Sequence, residues 1–231
     1  MNIQFLLMTT EAYHSTRCEY VRSSWGKDQN LLFFTDTEVD GDKSFIKVSD
    51  NKSLSSNVEK GARALVYADD NLDADYYFFG CEDRYVFVDS LERFIKDKDP
   101  NEPESFGKIS RIPDLRAGYH DGAGVVYSRE ALKIITHQIR HHPTCRPIPT
   151  SHNHYACDLY LGHLARDQRA VDMGFKVVHS ELFHTHSPWV MDAIHPGWQQ
   201  SDQQPRDHIC FHYIRSREDF DRMMKLEGEK G

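Results

Sequence analysis

Residues 73–91 read DADYYFFGCEDRYVFVDSL, and the reading of this stretch decides the fold. The aromatic run Tyr76 to Phe79 has the length and composition of a buried strand. It stops at Gly80, two carboxylates follow at Glu82 and Asp83, and a second strand-like run, Tyr85 to Val88, comes straight after. Carboxylates held where a central strand ends are well placed to grip a metal and a phosphate in an α/β protein. The same residues also read as a hairpin turn that is simply acidic, and this stretch alone leaves both open.

Outward from that stretch, strand-like and helix-like segments alternate, which predicts α/β layering. Ile3–Met8 and Leu31–Thr35 read as strands, the second running into an acidic loop from Asp36 to Asp42. Ser56 to Leu65 reads as a helix and Asp97 to Glu104 as a polar loop. Gly124–Tyr127 reads as a short strand, after which Ser128 caps a helix with Leu132, Ile135 and Ile139 on one face. Residues 141–155 carry three prolines and read as a loop that folds over a site. Asp158 opens a further helix with Leu161, Leu164 and Ala165 inward. Residues 187–208, with Trp189 and Trp198, read as irregular. Ser216 caps a last helix with Phe220, Met223 and Met224 as its apolar stripe.

Composition excludes several classes. The chain has 231 residues, 39% of them hydrophobic, enough for one substantial core. Its formal net charge is −8 and no basic run reaches five residues, so nucleic-acid binding has no electrostatic footprint. No apolar run approaches the ~18 residues of a membrane span. The N-terminus has no basic region before its apolar residues and reads as a first strand rather than a signal peptide. The five cysteines form no CxxC pair, which argues against a zinc knuckle and fits a reducing compartment. A cytoplasmic setting is therefore expected, or the Golgi lumen if the sequence is a trimmed domain. The 14 histidines need an explanation.

Three further features bear on chemistry. Asp158, in CDLYLG at 157–162, is either a helix N-cap or a catalytic carboxylate on a rigid element, with Gly162 allowing close approach one turn later. In LFHTHS, at 182–187, alternation places His184 and His186 on one face of an extended segment, a common metal-binding spacing. In GYHDGAGVVYSREAL, at 118–132, three glycines within seven residues mark either a sharp turn or a close approach of backbone to a ligand.

The order of these pieces resembles the Fringe-like glycosyltransferases of family 31, most closely the core 1 β1,3-galactosyltransferase branch. The resemblance spans residues 3 to 224. It runs through Ile3–Met8, RSSW at 22–25, the 73–91 stretch, SFGKI at 105–109, GYHDGAGVVYSREAL, CDLYLG, LFHTH at 182–186 and CFHYI at 210–214. It implies an α/β GT-A fold: a single domain over 1–231 with a twisted mixed central sheet flanked by helices. The nucleotide-binding half covers about 1–92 and the acceptor-binding half about 105–231. It also implies an inverting hexosyltransferase that takes galactose, N-acetylglucosamine or glucose from a UDP-sugar to a glycan or glycoprotein hydroxyl, with Mn²⁺ or Mg²⁺. A homodimer is left open.

Residue by residue, Asp158 matches the family's catalytic aspartate and would be the base. Asp83 matches the last aspartate of the metal-binding turn, and His184 the histidine that completes the metal site. Glu82 matches the acid facing the nucleotide sugar, and Asp121, Gly122, Ala123 and Gly124 match the strand start that lines the donor pocket. His186 has no assigned role. The loop 141–155, Trp189 and Trp198 are candidates for acceptor contact. One departure stands out: Cys81 occupies the first of three positions where the family commonly has aspartates, which should weaken binding of a hard cation. The alternative is an inactive relative acting as a glycoprotein- or sugar-nucleotide-binding or chaperone-like protein, for which Asp158 would be superfluous. A metal-dependent hydrolase built on Asp83, Asp158, His184 and His186 has too few ligands for a two-metal site.

Overall fold

The computed structural model describes residues 1–52, 56–110, 118–142, 157–194 and 207–228, with the side chains of 192–194 left out. In chain order the elements are β1 (Ile3–Met8), a short 3₁₀ turn (Glu11–Tyr13), a π turn (His14–Cys18), α1 (Glu19–Arg22), β2 (Leu31–Thr35), β3 (Phe45–Lys47) and α2 (Asn57–Asn71). Then come β4 (Tyr76–Cys81), β5 (Arg84–Val86), α3 (Val88–Ile95), β6 (Glu104–Ile109), β7 (His120–Ser128) and α4 (Arg129–His141). The remainder is α5 (Cys157–Ala165), α6 (Gln168–Asp172), β8 (Lys176–His179), β9 (Phe183–His184), α7 (Pro188–Ile194), β10 (Cys210–His212) and α8 (Arg217–Gly228).

Seven strands form the central sheet in the order β3-β2-β1-β4-β7-β6-β8. β3, β2, β1 and β4 are parallel, β7 is antiparallel to β4 and β6, and β8 is parallel to β6. The inner strands β1 and β4 are buried on both faces, so they read as nearly continuous apolar runs. The period-two alternation sorts them into two cores. Leu6, Met8, Tyr77 and Phe79 pack with Val58 and Leu65 of α2, Leu132 and Ile135 of α4 and Leu161 of α5. Phe5, Leu7, Tyr76 and Phe78 pack on the other face with Trp25, Leu91 of α3, Phe211 of β10 and Phe220 of α8.

The hairpin reading of 73–91 does not hold. β4 lies in the central sheet, whereas β5 pairs antiparallel with β10 in a separate three-stranded sheet, order β5-β10-β9. Trp25 fastens the start of β5, its Nε1 donating to the Arg84 carbonyl at 3.0 Å. The second apolar run is strand only through Val86, because Val88 already opens α3. Other expectations need adjustment. The helix expected at 56–65 continues to Asn71, and 187–208 contains α7. Strands β3, β6 and β8 were not anticipated: β3 and β8 are short and partly exposed, and β6 carries Glu104, Gly107 and Lys108 among its apolar residues. The caps at Ser128 and Ser216 are as expected. Ser128 Oγ accepts from Ala131 N at 3.1 Å, and Ser216 exchanges bonds with Asp219 in a capping box. The prolines of 141–155, Cys145 and Trp198 lie outside the described residues. Cys18, Cys81, Cys157 and Cys210 are free thiols. Among the described residues no helix is long and apolar enough to cross a membrane.

α5 reaches the sheet through close contact with α2. A Cβ added at Gly61 would collide with Cys157 Sγ and stand 3.0 Å from Met8 Sδ and 3.1 Å from Phe79 Cζ. Gly→Ala inside a helix ordinarily stabilises by ~1 kcal/mol. Here overpacking reverses the sign, and Gly61→Ala is expected to destabilise by about 1–3 kcal/mol in chemical denaturation. A gain in stability would show slack between α2 and α5.

Candidate functional site

A cleft of about 690 Å³ opens where the parallel strands β1 and β4 end, the usual ligand position of an open α/β sheet. Its lining comes from the segment after β1 (Thr9, Thr10, Tyr13, Arg17), the turn after β4 (Cys81, Glu82, Asp83, Arg84), and the start of β7 (Asp121, Gly122, Gly124). Asp158 on α5, Lys60 on α2, and Thr185, His186, His212, Tyr213 and Arg215 complete it.

At one end, two buried charges meet. Lys60 Nζ donates to Thr9 O at 3.0 Å and lies 3.2 Å from Asp36 Oδ2, just beyond β2. Burial alone would raise the Asp36 pKa, but Thr10 and Lys60 outweigh it and hold it below the usual value. The π turn presents Arg17 to the cleft. Its guanidinium lies 3.8 Å from the Tyr13 ring centroid and 3.1 Å from Glu82 Oε1.

The acidic turn drives its two carboxyls in opposite directions. Burial, reinforced by the charge of Asp83, pushes Glu82 up to about 6, with Arg17 opposing. Asp83 is also buried, but His212, Arg84 and Arg215 hold its carboxyl well below the usual range. Arg215 Nε donates to Oδ2 at 3.1 Å. His212 Nε2 stands 3.2 Å from Oδ1, without the alignment of a hydrogen bond, and Oδ1 accepts none. Burial and the neighbouring Arg84 lower the His212 pKa, favouring the neutral imidazole that a metal requires. The Cys81 thiol is pushed up to about 11 by desolvation, so it adds no anionic ligand.

A divalent cation fits this donor set in one place. An unsatisfied carboxylate oxygen and a neutral imidazole nitrogen stand side by side on the cleft wall. A cation such as Mg²⁺ commonly takes only one or two protein ligands and completes its shell with phosphate oxygens and water. Among the described residues no group of three or more His, Cys, Asp or Glu is arranged as a self-sufficient metal cage.

His184, expected beside Asp83, is placed elsewhere. Its Nε2 is 2.6 Å from His208 Nδ1 and its ring stacks on Phe211 at 4.6 Å. Burial and the neighbouring His208 hold it down at about 3. The expected shared face with His186 fails because β9 ends at His184, so the period-two rule does not carry to 186. His186 does line the cleft, stacked on Tyr213. Tyr213 has φ +62, rare for a residue with a side chain, and such outliers gather at functional sites. Ala123 is buried in the core, while Asp121, Gly122 and Gly124 face the cleft. Trp189 packs against the second core under the Arg222 guanidinium instead of lining the cleft.

Asp158 lies within the first turn of α5, not at the cap position, and reaches the cleft. Its helix is pressed home at Gly162, where a Cβ would stand 2.9 Å from Tyr119 Cβ. His212 and Arg215 are the residues that sequence reasoning missed. The only available signal was CFHYI itself, the closing motif of the family resemblance, which gives its histidine no role.

The fold is the GT-A glycosyltransferase fold, and comparisons with known proteins agree. A solved glycosyltransferase involved in glycosylation of the major capsid of PBCV-1 superposes with TM-score 0.53 at 11% identity, covering 98% of this chain and 100% of that one. The apo-form glycosyltransferase GlyE of Streptococcus pneumoniae TIGR4 gives TM-score 0.50 at 10% identity, over 100% of this chain and 61% of that one. In sequence, the chain is 30% identical over 129 residues to glycoprotein-N-acetylgalactosamine 3-beta-galactosyltransferase 1 of Xenopus laevis. That match covers 54% of this chain and 36% of the relative, so the chain spans about a third of that protein's length. No protein-family profile matches.

Behind the site, His120 is wholly buried, with Nε2 3.0 Å from Ser105 Oγ, and burial holds its pKa down at about 3. An imidazole depressed in the folded chain and ordinary in the unfolded one stabilises above about pH 6.5, and that stability is lost as pH falls toward the folded value. His120→Gln is expected to reduce the acid-side slope of stability against pH by about one proton, measured by denaturant titration at stepped pH. An unchanged slope would show that His120 titrates normally.

Proposed function

We propose that this chain is an inverting glycosyltransferase. In this reading it moves a hexose (galactose, N-acetylglucosamine or glucose) from a UDP-sugar to a hydroxyl of a glycan or glycoprotein, in β1,3 linkage. The observation that carries the reading is that Asp158 and the Asp83–His212 pair line a single cleft at the ends of β1 and β4. One carboxylate is thus available for proton transfer, and a separate one stands where a diphosphate would lie. The likeness to a 3-beta-galactosyltransferase over part of the chain supports the same reading.

Inversion follows from one in-line displacement. The acceptor oxygen bonds to the anomeric carbon as the bond to the diphosphate oxygen breaks, and Asp158 takes the hydroxyl proton. The nucleotide half, about 1–92, holds the UDP over the strand ends, with Thr9, Thr10, Tyr13, Arg17 and Lys60 around it. Glu82, Asp121, Gly122 and Gly124 frame the donor sugar, and the acceptor enters from the half formed by about 105–231. Asp83 and His212 would hold Mn²⁺ or Mg²⁺, whose chemistry there is neutralisation of charge on the departing diphosphate.

UDP with Mn²⁺ is expected to raise the melting temperature, since a ligand bound only by the native state must stabilise it. His212→Asn should lose the Mn²⁺-dependent part of that shift and His184→Asn should keep it. The reverse pattern would return the metal to His184. Asp158→Asn should leave melting and UDP binding nearly unchanged while transfer falls by roughly 10²–10⁴. Full transfer by a folded Asp158→Asn protein would overturn the mechanism.

A further inference from the structure

The chemistry above leaves one buried charge without a task. Arg84 opens β5 directly after the acidic turn, lines the cleft, and is more than nine-tenths buried. Its stem runs under β4 at Gly80, where a Cβ would stand 2.9 Å from Arg84 Cδ. Of its guanidinium nitrogens, Nη2 donates to the Gly122 carbonyl, while Nε and Nη1 have no oxygen or nitrogen acceptor, the Cys81 thiol being the remaining polar neighbour of the group. Nη1 lies 3.6 Å from Asp83 Oδ1. A buried guanidinium with unmet donors is destabilising, so a purely structural role accounts for it poorly.

The charges around it have a definite sign. Asp83 is shared by Arg84 and Arg215, Glu82 is matched by Arg17, and position 81 carries a thiol instead of a carboxylate. With Arg17 and Arg215 included, the turn and its partners hold three cations against two carboxylates and are net positive, where a carboxylate at 81 and a neutral residue at 84 would make the set net negative. A net positive set attracts a diphosphate and lessens, without abolishing, the pull of Asp83 and His212 on a divalent cation. The unmet nitrogens lie beneath the cleft floor, and their charge acts through protein of low dielectric, where it is poorly screened.

We infer that Arg84 is a built-in counter-charge for the donor's diphosphate, so that nucleotide binding at this site has a component independent of any divalent cation. The inference rests on the nucleotide-donor reading above and concerns what neutralises the diphosphate. It assigns Arg84 a positioning and electrostatic role and leaves proton transfer with Asp158.

The test is calorimetric titration of UDP into the whole chain, once in EDTA and once in Mn²⁺, for the wild type, Arg84→Lys and Arg84→Gln. Melting curves for each variant report folding. Wild type is expected to bind UDP in EDTA within about tenfold of its affinity in Mn²⁺. Arg84→Gln should lose about tenfold or more in EDTA and become dependent on Mn²⁺, because the removed interaction is with a charged group. Arg84→Lys keeps the charge and should keep binding in EDTA. Wild-type binding in Mn²⁺ but not in EDTA would overturn the Arg84 inference and leave the donor reading standing. Undiminished binding of Arg84→Gln in EDTA, or its loss in Arg84→Lys, would overturn the inference equally. Absence of binding in both conditions would overturn the donor reading and the inference with it. If Arg84→Gln does not fold, the wild-type titrations and Arg84→Lys still decide.

Discussion

A buried carboxylate must be neutralised where it sits, and the candidate site is organised around that requirement at Asp83. Its partners come from three places: Arg84 from the start of β5, His212 from β10, and Arg215 from the segment beyond, 132 positions away in sequence. No local structure could supply such a set. The turn after β4 therefore has to meet the last strand of the chain, and β5 leaves the central sheet to pair with β10 instead of folding back on β4. The second sheet exists in this form because the turn needs cover that the first cannot give.

The neighbouring carboxyl shows what the arrangement does to charge. Glu82 and Asp83 are adjacent and both buried, yet one is raised to about 6 and the other driven down. Neighbouring carboxyls thus sit in opposite electrostatic environments. Negative charge is concentrated on Asp83, beside the His212 imidazole, while Glu82 is tied back to Arg17, which in turn lies over the Tyr13 ring. Asp158 stands on a different element altogether, held by contacts at Gly61 and Gly162 that have nothing to do with charge.

What the sequence disclosed follows from what periodicity can encode. Ile3–Met8, Leu31–Thr35 and the helix after Ser128 were legible because each carries its burial pattern within a few residues. The turn at 82–83 was legible as a break between two apolar runs. Nothing in YVFV, however, says which sheet it joins, since a buried strand looks the same in either. Lys176–His179 escaped because half its residues are exposed, Glu104–Ile109 because Glu104, Gly107 and Lys108 interrupt its apolar residues, and Phe45–Lys47 because it is a short edge strand. The site divides the same way. Asp83, Asp121 and Asp158 were found from local motifs and do line the cleft. The family resemblance points to His184 as the metal ligand and gives His212 no role. The choice between them depends on the pairing of Arg84 with His212, a contact across most of the chain.

That pairing also sets the order in which the molecule can be made. Closing a loop from residue 84 to residue 212 carries a larger entropy cost than any strand pairing within β1 to β4, and contacts so distant in sequence form late. During synthesis the parallel strands and α2 can assemble while the C-terminal segment is still unmade. Until β10 arrives, Asp83 lacks two of its three partners and the cleft lacks a wall. An unfinished or C-terminally clipped chain thus has most of the central sheet but an open cleft, with Asp83 left without His212 and Arg215.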